Sequence, residues 1–267
     1  VVPELTLRFD PVFGAVSFNG GQDISLLLGT TTRVFATATV TDLNGAADLV
    51  TATSTMYDAA VSAACAPDNN SCYIETTASQ CSFESCAGNS CVLSCYADFL
   101  YHANPTDESG GGWFAFLEVE DAGGGYDFAT SPEIDVTTLR AFNVTETIDY
   151  GALAPQSDTG SFNASTTIEN LGNDAIDIAV EGTDLTDGFS SIIPVNQQEL
   201  ATSTFSYSAC VTCADLSTTT VPVEVDLAKP TDVTPPIEDV IYWGIAVPFG
   251  INSAPHTGSN IFYATDD

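Results

Sequence analysis

Apolar and polar residues alternate with a period of two through most of this chain, and that constrains the fold more than any other feature. Successive side chains of a strand point to opposite faces, so such a run is a strand with one buried face. Val34, Ala36, Ala38 and Val40 alternate with Phe35, Thr37, Thr39 and Thr41. Phe162, Ala164, Thr166 and Ile168 oppose Asn163, Ser165, Thr167 and Glu169. Ile176, Ile178 and Val180 form another such face, as do Val221, Val223 and Val225, and Ile241, Trp243, Ile245 and Val247. The run Trp113–Val119 predicts a strand with one face fully buried. No helical stripe exceeds two turns, and Gly, Asn, Asp and Pro clusters separate the runs. The pattern predicts an all-β protein of antiparallel sandwiches.

At 267 residues the chain suits one or two domains. The Gly123–Gly125 turn followed by Ser131-Pro132-Glu133 marks a boundary in 132–142, giving tandem sandwiches over 1–137 and 138–267. Lys229–Pro236 is Pro-rich and predicts a stiff, extended connection. Of eight cysteines, Cys65, Cys72, Cys81, Cys86, Cys91 and Cys95 cluster, while Cys210 and Cys213 stand apart. The stretch 65–95, rich in Asn, Ser and Gly, reads as a long excursion stapled by three disulfides of open connectivity. The alternative, zinc on Cys81, Cys86, Cys91 and Cys95, lacks a paired CxxC spacing. Cys210 and Cys213 do match CxxC, but in a Thr-rich β context that predicts a local disulfide at a turn.

Four basic residues against 36 acidic ones leave a net charge of −32. Arg8, Arg33, Arg140 and Lys229 are scattered, which excludes the basic patches that nucleic acid or anionic membrane requires. No apolar run approaches the roughly 20 residues of a membrane-spanning helix, so no membrane insertion is expected. The even cysteine count and an opening at Val1 predict export by a removed signal peptide and an extracellular or cell-surface location.

Catalytic motifs are weak, and the chain reads as non-enzymatic. Asp158-Thr159-Gly160-Ser161 matches half of an aspartic-protease site, and a second Asp-Thr/Ser-Gly is missing. Only His102 and His256 are available to a serine triad, and there is no G-x-S-x-G. Glu118 and Glu120 share a strand face, which in so acidic a chain is no sign of a glycosidase. Calcium is the best ion candidate, because Asp, Asn and Gly turns supply hard oxygen donors. Three candidate sites follow: Asp42, Asn44 and Asp48; Asp121 and Asp127; Asp184 and Asp187. Sequons occur at Asn69, Asn143 and Asn163.

The string Ile241-Tyr242-Trp243-Gly244-Ile245-Ala246-Val247-Pro248-Phe249-Gly250, followed by His256-Thr257-Gly258-Ser259-Asn260-Ile261-Phe262-Tyr263-Ala264, resembles the last two strands of secreted β-sandwich surface proteins from uncultured small-genome prokaryotes. Val40–Gly45 and the Cys-rich stretch are similar to Ig-like domains of such proteins. The resemblance implies two Ig-like domains in tandem on an exported scaffold and names no catalytic residue. The N-terminal run Leu5, Leu7 and Phe9 suggests a strand added to a neighbour's sheet, with Arg8 facing its acidic surface. The expectation is a structural subunit forming a head-to-tail homopolymer, as filament, pilus-like fibre or surface layer. The alternative is an adhesin or carbohydrate-binding module using Trp113, Tyr126 or Trp243 as sugar platforms.

Overall fold

A computed structural model describes residues 7–145 and 147–266. It is all-β, built from antiparallel sheets with no closed barrel. The chain divides into two compact units, Val1–Leu139 and Arg140–Asp267.

The first unit holds β1 (Val12–Phe18), β2 (Thr31–Thr41), β3 (Leu49–Asp58), β4 (Cys72–Thr76), β5 (Cys81–Ala87), β6 (Ser90–Leu100), β7 (Trp113–Asp121) and β8 (Tyr126–Thr130). They form two sheets, ordered β1-β2-β6-β5 and β4-β3-β7-β8. This is the strand order of an immunoglobulin sandwich. One core cluster takes Val34, Ala36, Ala38 and Val40 from β2 and Trp113, Ala115, Leu117 and Val119 from β7, the faces that alternation identifies. The Trp113 indole N–H donates to the Asn104 carbonyl at 2.9 Å.

The stretch 65–95 is not an excursion from the core. It contributes β4, β5 and most of β6, and Cys72, Cys81, Cys91 and Cys95 are buried. Its Asn, Ser and Gly residues are divided between the 59–71 loop, the turns at 77–80 and 88–89, and the strands β5 and β6. The disulfides are Cys65–Cys72, Cys81–Cys95, Cys86–Cys91 and, in the second unit, Cys210–Cys213. Cys81 lies directly opposite Cys95 across β5 and β6, so this bridge staples neighbours within one sheet. With all eight sulfurs paired, the zinc alternative is removed.

The second unit holds β9 (Phe142–Val144), β10 (Ala164–Asn170), β11 (Ile176–Gly182), β12 (Leu185–Thr186), β13 (Ile192–Ile193), β14 (Gln198–Ala201), β15 (Ala214–Asp215), β16 (Val221–Leu227), β17 (Glu238–Ile245) and β18 (Asn260–Asp266). A five-stranded sheet runs β15-β14-β17-β10-β9, and a three-stranded one runs β16-β11-β18, with β12 and β13 as a small hairpin. Their core contains Ile168, Ile176, Ile178, Val180, Val223, Ile241 and Trp243. The Trp243 indole N–H donates to Thr166 Oγ1 at 2.9 Å. Asp177, on the nominally polar face of β11, is buried because its Oδ1 accepts the Val225 and Asp226 N–H groups. These bonds lie where the β11–β16 register shifts.

Two other expectations are corrected. Phe162 precedes β10 and is exposed rather than buried with Ala164. Lys229–Pro236 links β16 to β17 through bends at 231–235, not as an extended spacer.

Candidate functional site

Two features of the fold offer chemistry beyond packing: an acidic cluster where β2 and β7 end, and an open sheet edge in the second unit. The cluster follows from strand phase. The buried face of β2 continues one step past Val40 to Asp42, and that of β7 continues past Val119 to Asp121. Both carboxylates thus emerge from core-facing positions in opposite sheets. Asp48, half-buried, sits just before β3. One carboxylate oxygen from each of the three lies within 4.8 Å of one from each of the others. Asp42 is 0% exposed; its Oδ1 accepts the Asn44 N–H at 2.7 Å, whereas its Oδ2 is buried with no hydrogen-bond partner. Asp121 Oδ1 accepts the N–H groups of Gly123 and Gly125 at 2.7 and 2.8 Å. Gly125 must be glycine for this approach, since a Cβ there would lie 2.5 Å from Asp121 Oδ2 and 2.6 Å from Asp10 Oδ1.

The structure regroups the calcium candidates. Asp42, Asp48 and Asp121, assigned by sequence to two different turns, come together. Asn44 is committed elsewhere: its Oδ1 accepts the Phe9 N–H at 2.8 Å, and its Nδ2 donates to the Leu7 carbonyl at 3.0 Å. Asp127 accepts the Phe13 N–H at 2.9 Å and fastens β1 beside β8. Asp184 accepts the Val195 N–H. Asp187 organises a turn, taking the N–H groups of Phe189, Ser190 and Ser191 on Oδ1 and the Asn252 amide on Oδ2. The Asn252 bond first, and then those backbone donors, hold its pKa down to about 2. A further acidic group the sequence reading missed, Asp177, Glu224 and Asp226, surrounds the β11–β16 bulge.

Leu7, Arg8 and Phe9 form no strand within their own chain; Asn44 holds the backbone of Leu7 and Phe9, and Arg8 Nη1 donates to the Gly123 carbonyl at 2.8 Å. Leu5 lies outside the described residues. The Leu7 and Phe9 side chains are 62% and 42% exposed. Of the sequons, Asn69 and Asn143 are exposed, but Asn163 buries the amide nitrogen that a glycan would need.

The second feature appears when the two units' sheets are aligned by order. In the first unit β7 lies between β3 and β8. In the second, β18 pairs with β11 over seven residues without a bulge, and among the described residues no strand flanks its other side. The opposite edge of that sheet is protected, since β16 carries Pro222, Glu224 and Asp226 and the register shift. The edge strand β18 has no proline and no charge before Asp266, and it exposes Ile261 and Tyr263.

Beside it runs a groove of about 1040 Å³ that reaches Asn260 and Phe262 of β18 on one side and Tyr150 and Leu153 on the other. Ile193, Ile245 and Val247 pack together at its floor. Gln198 also lines it: its Oε1 accepts the Tyr150 hydroxyl at 3.0 Å, while its buried Nε2 has no acceptor.

Several smaller arrangements bear on catalysis. His256 Nε2 lies 2.9 Å from Ser191 Oγ, and its Nδ1 faces the Ala254 carbonyl at 2.8 Å. That carbonyl fixes the proton on Nδ1 and leaves Nε2 to accept the serine hydroxyl. Ser191 is only 6% exposed, however, and its Oγ also accepts the Asn252 N–H, so the pair locks the 187–191 turn to the 252–257 loop. No spacing motif signals this pair. Asp158 Oδ1 accepts the Gly160 N–H, making Asp158–Ser161 a turn. Glu199 faces Asp215 across β14 and β15, and burial, then Asp215 and Asp158, push its carboxyl pKa up. Trp113 and Trp243 are fully buried and cannot act as sugar platforms, whereas Tyr126 is exposed.

Four disulfides fit an extracellular protein, and among the described residues no helix is long and apolar enough to cross a membrane. No protein-family model matches the chain, and no curated protein is similar to it.

Proposed function

We propose that this protein is an extracellular structural subunit that polymerises head to tail by strand addition at β18. The observation that carries the reading is that the three-stranded sheet ends at β18, an edge without proline, bulge or a charge before Asp266, beside a groove with an apolar floor and polar walls. A strand laid there would satisfy the edge backbone and cover the groove, and a carbonyl or polar side chain on it would answer the Gln198 amide. The occupant is the N-terminal segment of a second copy, where Val1, Val2 and Leu5 supply apolar side chains. Leu7–Phe9, moored to their own first unit by Asn44, act as the tether. A head-to-tail contact of this kind does not close on itself and builds a fibre. With a charge of −32 on every copy, assembly requires screening and increases with salt.

Electron microscopy of the full chain at low and high salt, beside a variant lacking residues 1–6, tests this. Fibres from the full chain and monomers from the variant are expected, and a Val1–Phe9 peptide should bind the variant. Fibres that survive the truncation, or a full chain that stays monomeric at every salt concentration, would remove the reading.

A second reading has one observation in its favour. Tyr126 and Phe128 stand 55% and 51% exposed, 5.9 Å apart, with Phe116 5.5 Å from Phe128. This strip would suit a sugar-binding module. Oligosaccharide titration that is lost in Tyr126→Ala would support it, and an unchanged titration would not.

A further inference from the structure

The buried aspartates of this protein differ in one respect. Among the described residues Asp42, Asp58, Asp121 and Asp177 are buried. Asp58 uses both oxygens, accepting from the Ala60 N–H and the Asn104 amide. Asp177 accepts two backbone N–H groups on one oxygen, and Asp121 does the same. Asp42 alone carries a buried oxygen without a donor, and it lies in the one cluster that gathers two buried carboxylates and a half-buried third. Carboxylates so close repel one another, and Asp42 Oδ2, buried without a donor, is an acceptor that a cation would satisfy.

We propose that Asp42, Asp48 and Asp121 bind a calcium ion. The donor set is all oxygen, with neither histidine nor free thiol, which selects a hard cation over zinc or copper. Asp42 Oδ2 has no competing hydrogen bond, and Asp121 holds its backbone donors on Oδ1, leaving Oδ2 for the ion. Water completes the shell that three carboxylates leave open. The ion joins the β2–β3 connection to the β7–β8 turn. These are the segments whose Asn44 and Gly123 hold Leu7–Phe9, so calcium stiffens the anchorage of the N-terminal segment. The site stands on its own residues and does not depend on the assembly reading.

Calorimetric titration of the EDTA-treated full chain with CaCl₂ is the test, with amide hydrogen exchange to locate the ion. One site with a Kd on the order of 0.1–1 mM, the range of extracellular modules, is expected. Exchange should slow at residues 42–48 and 121–125 and stay unchanged at 224–226. Asp48→Asn, at the half-exposed ligand, should weaken binding at least tenfold, and Glu224→Gln should leave it intact. Because the exchange map is read on the unaltered protein, it decides the matter even if the Asp48 variant fails to fold. Protection that appears around Glu224 instead, that appears nowhere, or that is reproduced by equal MgCl₂ would overturn the proposal.

Discussion

The two units share a two-layer scheme and differ in how they finish it. In the first, the edge strand β8 lies beside β7 and is fastened to β1 by the Asp127–Phe13 bond. Three disulfides and an immunoglobulin strand order complete that unit by itself. In the second, the sheet stops at β18, and a groove with an unsatisfied Gln198 amide lies alongside. Alternation alone does not settle how a sheet edge is protected: each unit has a well-formed core, but the edge strand β8 carries Asp127, bonded to β1, whereas β18 carries no charge before Asp266. An edge without proline or bulge, charged only at its last residue, is one that natural proteins ordinarily cover.

The comparison can be tested from the core outwards. The largest effect should come from Trp113→Ala and Trp243→Ala, each fully buried, at about 3–5 kcal/mol. Each is expected to lower the calorimetric transition of its own unit, and a shared response would break the division into two units. Removing Cys81–Cys95 by paired alanine substitution should lower first-unit stability by about 3 kcal/mol, from its closed loop. Denaturant unfolding should register no comparable loss in the second unit when Cys210–Cys213, only three residues apart, is removed. Thr166→Val strips the Trp243 indole of its acceptor and should cost the second unit about 1–3 kcal/mol. The first unit has no counterpart, because Trp113 donates to a backbone carbonyl.

The smallest effect is acid-dependent. Asp187 is held from an ordinary 3.8 down to about 2, so its contribution is present above pH 4 and lost as the pH falls towards 2. In the first unit Asp98, lowered mainly by its hydrogen bond to Arg33, follows the same sign. An acid titration followed by NMR should show the Asp187 turn loosening between these limits, and Asp187→Asn should abolish that step. A turn that loosens well above pH 4 would contradict the hydrogen-bond account.

Legibility varied with the physics of each segment. Runs with clear hydrophobic contrast, such as Val34–Val40 and Trp113–Val119, have the buried faces that alternation assigns. The β3 strand, Leu49-Val-Thr-Ala-Thr-Ser-Thr-Met-Tyr-Asp58, buries Ala52, Ser54 and Met56 and shows little contrast, so its small side chains concealed it. The alternation at the N-terminus does not place Leu7 and Phe9 in a strand of their own sheet, because Asn44 takes their backbone groups. The acidic cluster was half visible. Asp42 and Asp121 continue the phase of two buried faces, and an acid in phase with a core face is the signal that separates them from ordinary turn aspartates.

By itself the sequence determined the all-β class, the buried faces of most strands and the scarcity of positive charge, because these depend on local periodicity and composition. Which cysteines pair, that Asp42, Asp48 and Asp121 converge, and that β18 is left with one neighbour were decided only in three dimensions. Each depends on which strands lie side by side, and that is set by the joint burial of two sheets whose partners are far apart along the chain.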